Sequence, residues 1–207
     1  MKLFVGLGNP GPEHARNRHN IGFMAFDTLA RCHEFAPFRP KYRGLAVEGR
    51  LGRTRILALK PLTYMNDSGL SVAEAARFHK IAAESVYVFH DELDLAAGKM
   101  RVKLGGGNAG HNGLRSIDAH LGTEYWRVRL GIGHPGDKAR VLGWVLRDFP
   151  KADAEWLDPF LAAIADHAPL LAEGREPDFM SKVALALQPP AAETKRPARA
   201  PRANENE

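Results

Sequence analysis

The sequence contains a single cysteine and no long apolar run. Cys32 alone cannot form an internal disulfide, which is typical of proteins in a reducing compartment, and we therefore expect the protein in the cytoplasm. No stretch of the chain approaches the length of a membrane span, and the N-terminal segment lacks the continuous apolar core of a signal peptide. These absences predict a protein that has no contact with a membrane.

Motifs of several common enzyme classes are also missing. The glycine-rich segments lack the G-K-[ST] ending of a P-loop, and no G-x-S-x-G elbow of a serine hydrolase is present. Residues 6–11, GLGNPG, match G-x-G-x-x-G, but Pro10 and Pro12 interrupt the segment and helical spacing begins only at Ile21. A dinucleotide site needs a helix that opens directly on the glycines, because its N-terminus holds the pyrophosphate. We interpret these glycines as a tight strand exit.

The composition is ordinary for a globular protein, with 44% apolar and 26% charged residues in 207 positions. Alternating and helical spacings predict an α/β domain over residues 1–188, with helices on both faces of a sheet. The last stretch, 189–207, is rich in proline, alanine and charge and is predicted to be disordered. Strands are expected at 2–7, 85–90, 99–104 and 125–132, a hairpin turning near residue 52, and helices at 21–33, 69–80, 111–121, 138–147, 153–172 and 177–187.

Four polar segments stand out against this background: GNPGPEHARNRH, PLTYMNDSG, HDELDL and KLGGGNAGHNGL. In the second, Asn66 is open to interpretation as a helix cap. In the third, the carboxylates could hold a divalent metal, but solvation or pairing with arginine is the favoured interpretation. In the fourth, backbone N–H groups could hold an anion or a carbonyl oxygen.

Histidine and aspartate flanked by amide side chains suit general-base activation of water. An aspartate that accepts from one ring nitrogen of a histidine leaves the other nitrogen free to take a proton. With no covalent nucleophile and no metal, this chemistry fits a reactive ester better than a peptide bond. A net charge of +5 is mildly suggestive of a polyanionic partner. The residues therefore predict a hydrolase that acts on an anionic substrate and needs no metal or cofactor.

Seven segments in order resemble the bacterial-type peptidyl-tRNA hydrolase family: VGLGNPG, RHNIG, PLTYMNDSG, HDELDL, KLGGGNAGHNGLRSI, RVRLGIGHPG and VLGWVL. The resemblance implies a monomeric, single-domain α/β fold around a mixed, twisted sheet. It also implies hydrolysis of the ester between a peptide, or an N-blocked amino acid, and the 3′-terminal ribose of tRNA. This activity recycles peptidyl-tRNA that has dropped from ribosomes.

The same resemblance assigns catalytic roles by motif. His19 of RHNIG would activate water, and Asp91 of HDELDL would hold it in its basic form. Asn9 of GNPG would separate peptidyl-tRNA from aminoacyl-tRNA, by contacting an amide that a free α-amino group cannot mimic. The substrate and its CCA end would be contacted by Tyr64, Asn66 and Asn112, with Met65 as an apolar wall.

Binding of the tRNA phosphate is implied for Lys103 and Arg129. Alternation gives them basic neighbours, Arg101 and Arg127, on the same strand faces. One position departs from the family, which usually has tyrosine where this chain has His14. Histidine can also stack on a base, though with a smaller face, and the other interpretation is a solvated loop residue.

A non-catalytic RNA-binding protein on the same scaffold is the alternative function. A protein that only binds RNA would not need the polar residues to which the resemblance assigns catalysis and substrate contact. All four of these residues are present here: Asn9, His19, Asp91 and Asn112. The sequence therefore favours the enzyme, with peptidyl-tRNA as its partner and no obligate protein partner.

Overall fold

Seven strands form one mixed sheet in the order β2-β3-β4-β1-β5-β7-β6. The structure is a computed structural model and describes residues 1–189. The strands are β1 (Lys2–Gly6), β2 (Arg39–Lys41), β3 (Gly44–Leu51), β4 (Thr54–Pro61), β5 (Val86–Glu92), β6 (Met100–Leu104) and β7 (Trp126–Gly131).

The four central strands, β4, β1, β5 and β7, run parallel to one another. Their carboxyl ends therefore meet at one edge of the sheet, where parallel α/β sheets place their ligands. Three of the four polar segments noted in the sequence lie at or just after these ends, and the fourth, KLGGGNAGHNGL, begins in β6 and leads to α3. The outer strands are antiparallel: β3 pairs with β4, β2 with β3, and β6 with β7.

Helices cover both faces of the sheet, as predicted. In β1, Phe4 packs into a core with α1, α5 and α6, while Leu3 and Val5 pack on the opposite face with α2 and α3. This alternation follows from the period of two along a strand. The helices are α1 (Ile21–Cys32), α2 (Ser68–His79), α3 (Asn112–Leu121), α4 (Val141–Val145), α5 (Ala154–Ala172) and α6 (Glu176–Ala186). The prediction of a single α/β domain is confirmed.

The structure differs from the sequence predictions at two places. Strand β2 was not predicted, because its three exposed residues, Arg-Pro-Lys, show no apolar alternation. The helix expected over 138–147 is a 3₁₀ turn at Lys138–Arg140 followed by the five residues of α4.

The predicted disordered tail lies, apart from residue 189, outside the described residues. Within residues 1–189, no helix is long and apolar enough to cross a membrane.

Close approach between elements explains several glycines. A Cβ on Gly6 would lie 2.5 Å from the carbonyl oxygen of Gly22 in α1, so the first glycines of the G-x-G-x-x-G match make room for a helix. A Cβ on Gly69 of α2 would lie 2.1 Å from the Ser116 carbonyl oxygen of α3. The Gly69 N–H also donates to Ser116 Oγ over 2.9 Å, so the two helices are in contact at this point.

Gly69→Ala should lower the free energy of unfolding by about 1–3 kcal/mol, because the added methyl group forces α2 and α3 apart. Urea denaturation measures this directly. Gly143→Ala is the matched control, since its Cβ would meet no atom within 4 Å. Equal stability of the two variants would contradict the packing argument.

Candidate active site

A cleft of about 600 Å³ opens at the carboxyl ends of β5 and β7. Its walls come from the end of β5, the glycine-rich loop before α3, strands β6 and β7, and α4. The lining includes two neighbouring histidines and an aspartate, several cations and an apolar side: His19, Asp91, His111, Asn112, Lys103, Arg127, Arg129, Lys138, Val141, Leu142 and Val145.

Asp91 lies at the centre of the hydrogen bonding in this cleft. Its side chain is 2% exposed, and its Oδ1 accepts from His19 Nδ1 over 2.8 Å and from His111 Nε2 over 2.9 Å. The two histidines come from different elements: His19 from the 3₁₀ turn before α1, and His111 from the residue preceding α3. The predicted contact between His19 and Asp91 is therefore present.

The hydrogen bonds define the protonation pattern of both imidazoles. His111 Nδ1 accepts from the backbone N–H groups of Gly113 and Leu114, so it caps α3 and its proton is on Nε2, facing Asp91. His19 donates its Nδ1 proton to the same carboxylate. Its Nε2 makes no hydrogen bond within residues 1–189 and is left with a free lone pair.

The charge of Asp91 affects the basicity of His19. Burial lowers the pKa of His19, but the charge of Asp91 and the hydrogen bond that His19 donates to it outweigh burial and hold this pKa above its ordinary value. For Asp91, burial raises the pKa, but the two histidines outweigh it and hold the pKa well below its ordinary value. The aspartate is therefore ionised whenever His19 is neutral and able to take a proton.

The same three residues place one ligand atom each within 4.8 Å of one another, which is close enough for a metal ion. The protonation pattern opposes metal binding, because the His111 nitrogen that faces Asp91 carries a proton and has no lone pair to offer.

The carboxylate site considered for HDELDL is not formed among the described residues either. Glu92 pairs instead with Arg129 over 2.8 Å and accepts the backbone N–H of Asp94. This arginine pairing is the interpretation that the sequence favoured.

Asn9 is held in one orientation by three hydrogen bonds. Its backbone N–H donates to Asn20 Oδ1, its carbonyl accepts from Asn20 Nδ2, and its side-chain Oδ1 accepts from the Met65 N–H over 2.8 Å. Asn9 lines a second pocket of about 180 Å³, whereas His19 lines the larger cleft. The structure therefore places the two residues in different cavities.

The remaining predicted contact residues have different positions. Asn112 is the first residue of α3, is exposed and lines the cleft. Tyr64 and Asn66 are exposed in the segment that follows β4, but neither lines the cleft. Asn66 caps no helix, so that interpretation is wrong. Met65 is 4% exposed and packs in the core, and its backbone N–H donates to Asn9 Oδ1.

Basic side chains line the cleft on strands β6 and β7. The antiparallel register sets Lys103 opposite Arg127 and Arg101 opposite Arg129. Arg127 is buried and donates to Asp118 and to the Thr123 carbonyl, and Arg129 is held by Glu92. Lys103 is exposed and forms no ion pair within residues 1–189. Of the two predicted phosphate contacts, Lys103 is thus the freer cation.

His14, the departure from the family pattern, lines neither cavity. It is half-buried, and its Nδ1 lies 3.0 Å from Asn17 Oδ1, whose amide donates to Asp148 Oδ1. His14 therefore supports a loop contact and is not the solvated loop residue of the other interpretation.

Sequence reasoning missed two residues of this site. These are His111, which the sequence analysis included only within the segment KLGGGNAGHNGL, and Asn20, which directly precedes α1 but makes no side-chain cap hydrogen bond there. A histidine directly before a predicted helix was the available signal for His111. No local signal existed for Asn20, because its partner Asn9 is eleven positions away.

An α/β domain whose cleft combines a His–Asp pair, amide side chains and a basic face has the features of a hydrolase for anionic substrates. Comparison with known proteins is more specific. Residues 3–192 match the family model described as peptidyl-tRNA hydrolase. The chain therefore belongs to the peptidyl-tRNA hydrolase family.

Curated relatives and solved structures support this membership. The chain is 64% identical over 188 residues to the peptidyl-tRNA hydrolase of Methylobacterium sp. (strain 4-46), covering 91% of this chain and 93% of the relative. It is 60% identical to that of Dinoroseobacter shibae, covering 98% and 88%. The crystal structure of peptidyl-tRNA hydrolase from Acinetobacter baumannii is similar, with a TM-score of 0.83, 41% identity and coverage of 88% and 94%. The predictions of family, fold and hydrolase class are confirmed, and the non-catalytic alternative is not.

His90, beside Asp91 in β5, offers a test of this arrangement that does not depend on activity. It is buried, its Nδ1 donates to the Asp91 carbonyl oxygen over 2.8 Å, and its Nε2 has no partner within residues 1–189. Burial first, and the neighbouring His111 second, lower the pKa of His90 to about 3.

The unfolded chain binds a proton at His90 near its ordinary pKa of about 6.5, whereas the folded chain does so only near pH 3, so stability should fall as pH falls through this window. His90→Asn should therefore make the free energy of unfolding less dependent on pH, by about 1.4 kcal/mol per pH unit in that window. Urea denaturation at a series of pH values measures the slopes. Parallel slopes would contradict a neutral, buried His90, and above pH 7.5 the slopes should agree.

Proposed function

We propose that this protein hydrolyses the ester between a peptide, or an N-blocked amino acid, and the 3′-terminal ribose of tRNA, with His19 as general base. The observation that supports this proposal most directly is the hydrogen bond that His19 Nδ1 donates to the buried Asp91. This bond leaves the Nε2 lone pair of His19 free, and His19 lines the cleft. By this activity the protein returns tRNA from peptidyl-tRNA that has dropped from ribosomes. It works in the cytoplasm, as a monomer without an obligate protein partner.

The proposed reaction moves one proton through His19. Nε2 takes a proton from water while the water oxygen attacks the ester carbonyl carbon, and Asp91 stabilises the imidazolium that forms. When the tetrahedral intermediate collapses, the C–O bond to the ribose breaks and the imidazolium gives its proton to the departing 3′ oxygen. Asn112 lies on the cleft wall and supplies an amide for the substrate and its CCA end.

Asn9 distinguishes peptidyl-tRNA from aminoacyl-tRNA in this proposal. Its Oδ1 is already occupied by the Met65 N–H, so Nδ2 is the part that can contact a ligand. An N–H donor can bind the carbonyl oxygen of a peptide amide, but it has no acceptor in a free α-ammonium group. Tyr64 and Asn66, exposed on the adjacent turn, contact the substrate beside it.

Lys103 and Arg129 hold the phosphates of the acceptor end. Arg101 lies opposite Arg129 and adds to the positive potential of this face, which attracts a polyanion, whereas the charge of Arg127 is paired with Asp118. The pairing of Arg129 with Glu92 makes Lys103 the better position for an experiment, because Arg129→Ala would leave the 6% exposed Glu92 without its cation.

His19→Ala should lower kcat on N-acetyl-aminoacyl-tRNA by about 10²–10⁴-fold with little change in tRNA affinity, because only the base is removed. Asp91→Asn should also lower kcat. Since it removes the charge that raises the pKa of His19, it should move the acidic limb of kcat/KM to lower pH. Steady-state assays from pH 5 to 9 measure both effects.

Asp158→Asn, an exposed aspartate on α5, is the control and should match the wild type. Unacetylated aminoacyl-tRNA should be cleaved slowly by every variant. A His19→Ala enzyme within tenfold of the wild type would remove His19 from the role of base.

Lys103→Ala should weaken tRNA binding and reduce the slope of log Kd against log salt by about 1, because one phosphate contact no longer releases a counterion. Fluorescence anisotropy at several salt concentrations gives the slope. Lys182→Ala, an exposed lysine on α6 outside the cleft, should leave it unchanged. Identical slopes for the two variants would rule out a phosphate contact at Lys103.

A further inference from the structure

We propose that Arg18 is a positioning residue that ties α4, the apolar wall of the cleft, to the turn that carries His19. This inference rests on the proposed function, because it concerns the same cleft and substrate. It assigns to Arg18 no contact with the reacting atoms. Its role is to keep the wall in place beside the base.

Arg18 is buried in contacts with the segment that follows α4. It is 4% exposed, and its guanidinium carbon lies 3.9 Å from the centre of the Trp144 ring, within the range of a cation–π interaction. One terminal nitrogen donates to the carbonyl oxygens of Arg147 and Asp148 over 3.2 and 3.0 Å. The other lies 3.7 Å from Asp153 Oδ2. All of these contacts join sequence positions more than 120 residues apart.

Backbone hydrogen bonds join the same two segments. The Arg18 N–H donates to the Arg147 carbonyl over 3.1 Å, and the Phe149 N–H donates to the Arg16 carbonyl over 3.0 Å. Asn17 forms an isolated antiparallel bridge with Asp148 and donates to its carboxylate over 2.8 Å. The contact is therefore a short pairing of 16–18 with 147–149, in which Arg18 supplies the side chain that reaches back to α4.

Helix α4 needs such an attachment. It has five residues, and an isolated helix of that length is unstable in water. Val141, Leu142 and Val145 line the cleft, and Leu142 is 68% exposed, so the wall offers apolar surface to a ligand. Besides the Arg18 contact, α4 is held by a hydrogen bond of 3.1 Å from Trp144 Nε1 to the Gly133 carbonyl and by packing of Trp144 and Val145 against the core.

The chemistry of the contact requires arginine. A planar guanidinium can stack on an indole ring while its N–H groups, which lie in the plane, donate to carbonyl oxygens. Lysine keeps the charge but cannot do both at once. In Arg18→Lys, α4 should therefore be held less firmly and shift from its position, while the positive charge remains.

The expected defect is in substrate binding. Displacement of α4 removes one wall of the cleft but leaves the His19–Asp91 hydrogen bond in place, so KM should rise about tenfold while kcat stays within about twofold. The acidic limb of the pH profile should not move. A general loss of structure would instead lower the active fraction, which reduces kcat and leaves KM unchanged.

The experiment compares Arg18→Lys, Trp144→Ala, Trp144→Phe and the double variant Arg18→Lys/Trp144→Ala on N-acetyl-aminoacyl-tRNA. Phenylalanine keeps an aromatic face and should stay close to the wild type. The two disruptive single variants should each raise KM, and the double variant should be no worse than the more impaired of them. Hydrogen exchange should become faster at the amides of 141–147 in the disruptive variants.

Lys2→Met is the matched control, because Lys2 also lies over an aromatic ring, Tyr87, and donates to a backbone carbonyl, but at the other end of the sheet. It should affect stability without affecting KM or exchange at 141–147. Additive effects on KM in the double variant, or an unchanged KM in Arg18→Lys, would overturn the proposal.

If Arg18→Lys does not fold, the comparison of Trp144→Ala with Trp144→Phe decides the matter, and equal KM values for these two would also overturn it. The outcome is separable from that of the proposed function. Activity in His19→Ala would refute the base assignment, whereas the position of α4 is read from KM and exchange in variants that keep His19.

Discussion

The burial of Asp91 is the constraint on which the site depends. A carboxylate with 2% of its side chain exposed loses its hydration, at a cost of several kcal/mol unless protein donors replace the water. Two imidazole N–H groups, from His19 and His111, do so at distances of 2.8 and 2.9 Å. Asp91 lies near the end of a central strand, and the two donors reach it from the segments that precede two different helices, α1 and α3. The basicity of His19 then follows from the charge that it helps to bury.

Backbone packing brings the two donors to that point. A Cβ on Gly22 in α1 would lie 2.5 Å from the Leu7 nitrogen and from the Phe89 carbonyl oxygen, so α1 contacts the ends of β1 and β5 directly. A Cβ on Gly113 in α3 would lie 2.6 Å from Met65 Sδ. Each glycine follows its histidine by two or three positions. The glycines near RHNIG and GHNGL therefore serve the position of the imidazoles, which explains why glycine and histidine occur together in both segments.

The sequence was sufficient where local pattern determines structure. Short apolar runs predicted β1 and β5, alternation predicted β6 and β7, and the approximate ends of α2 and α5 followed from helical spacing. It was insufficient where a residue acts through a distant partner. Nothing local distinguishes Asn20 as the residue that orients Asn9, or indicates that Glu92 holds Arg129. The sequence placed the charges on the correct strand faces, but which cations remain free depends on tertiary pairing.

The 3₁₀ turn Arg18–Asn20 shows why the segment that carries His19 has so little conformational freedom. Its three consecutive side chains are all buried and polar, and each is bound to a different part of the fold. Arg18 contacts the segment after α4, His19 contacts Asp91 in β5, and Asn20 holds the backbone of Asn9. A turn without internal apolar packing is thus fixed by partners in three different parts of the fold, of which Asp91 lines the cleft and Asn9 lines the second pocket. Because the three residues are consecutive, movement of any one partner would also shift His19, which couples α4 and Asn9 to the proposed base.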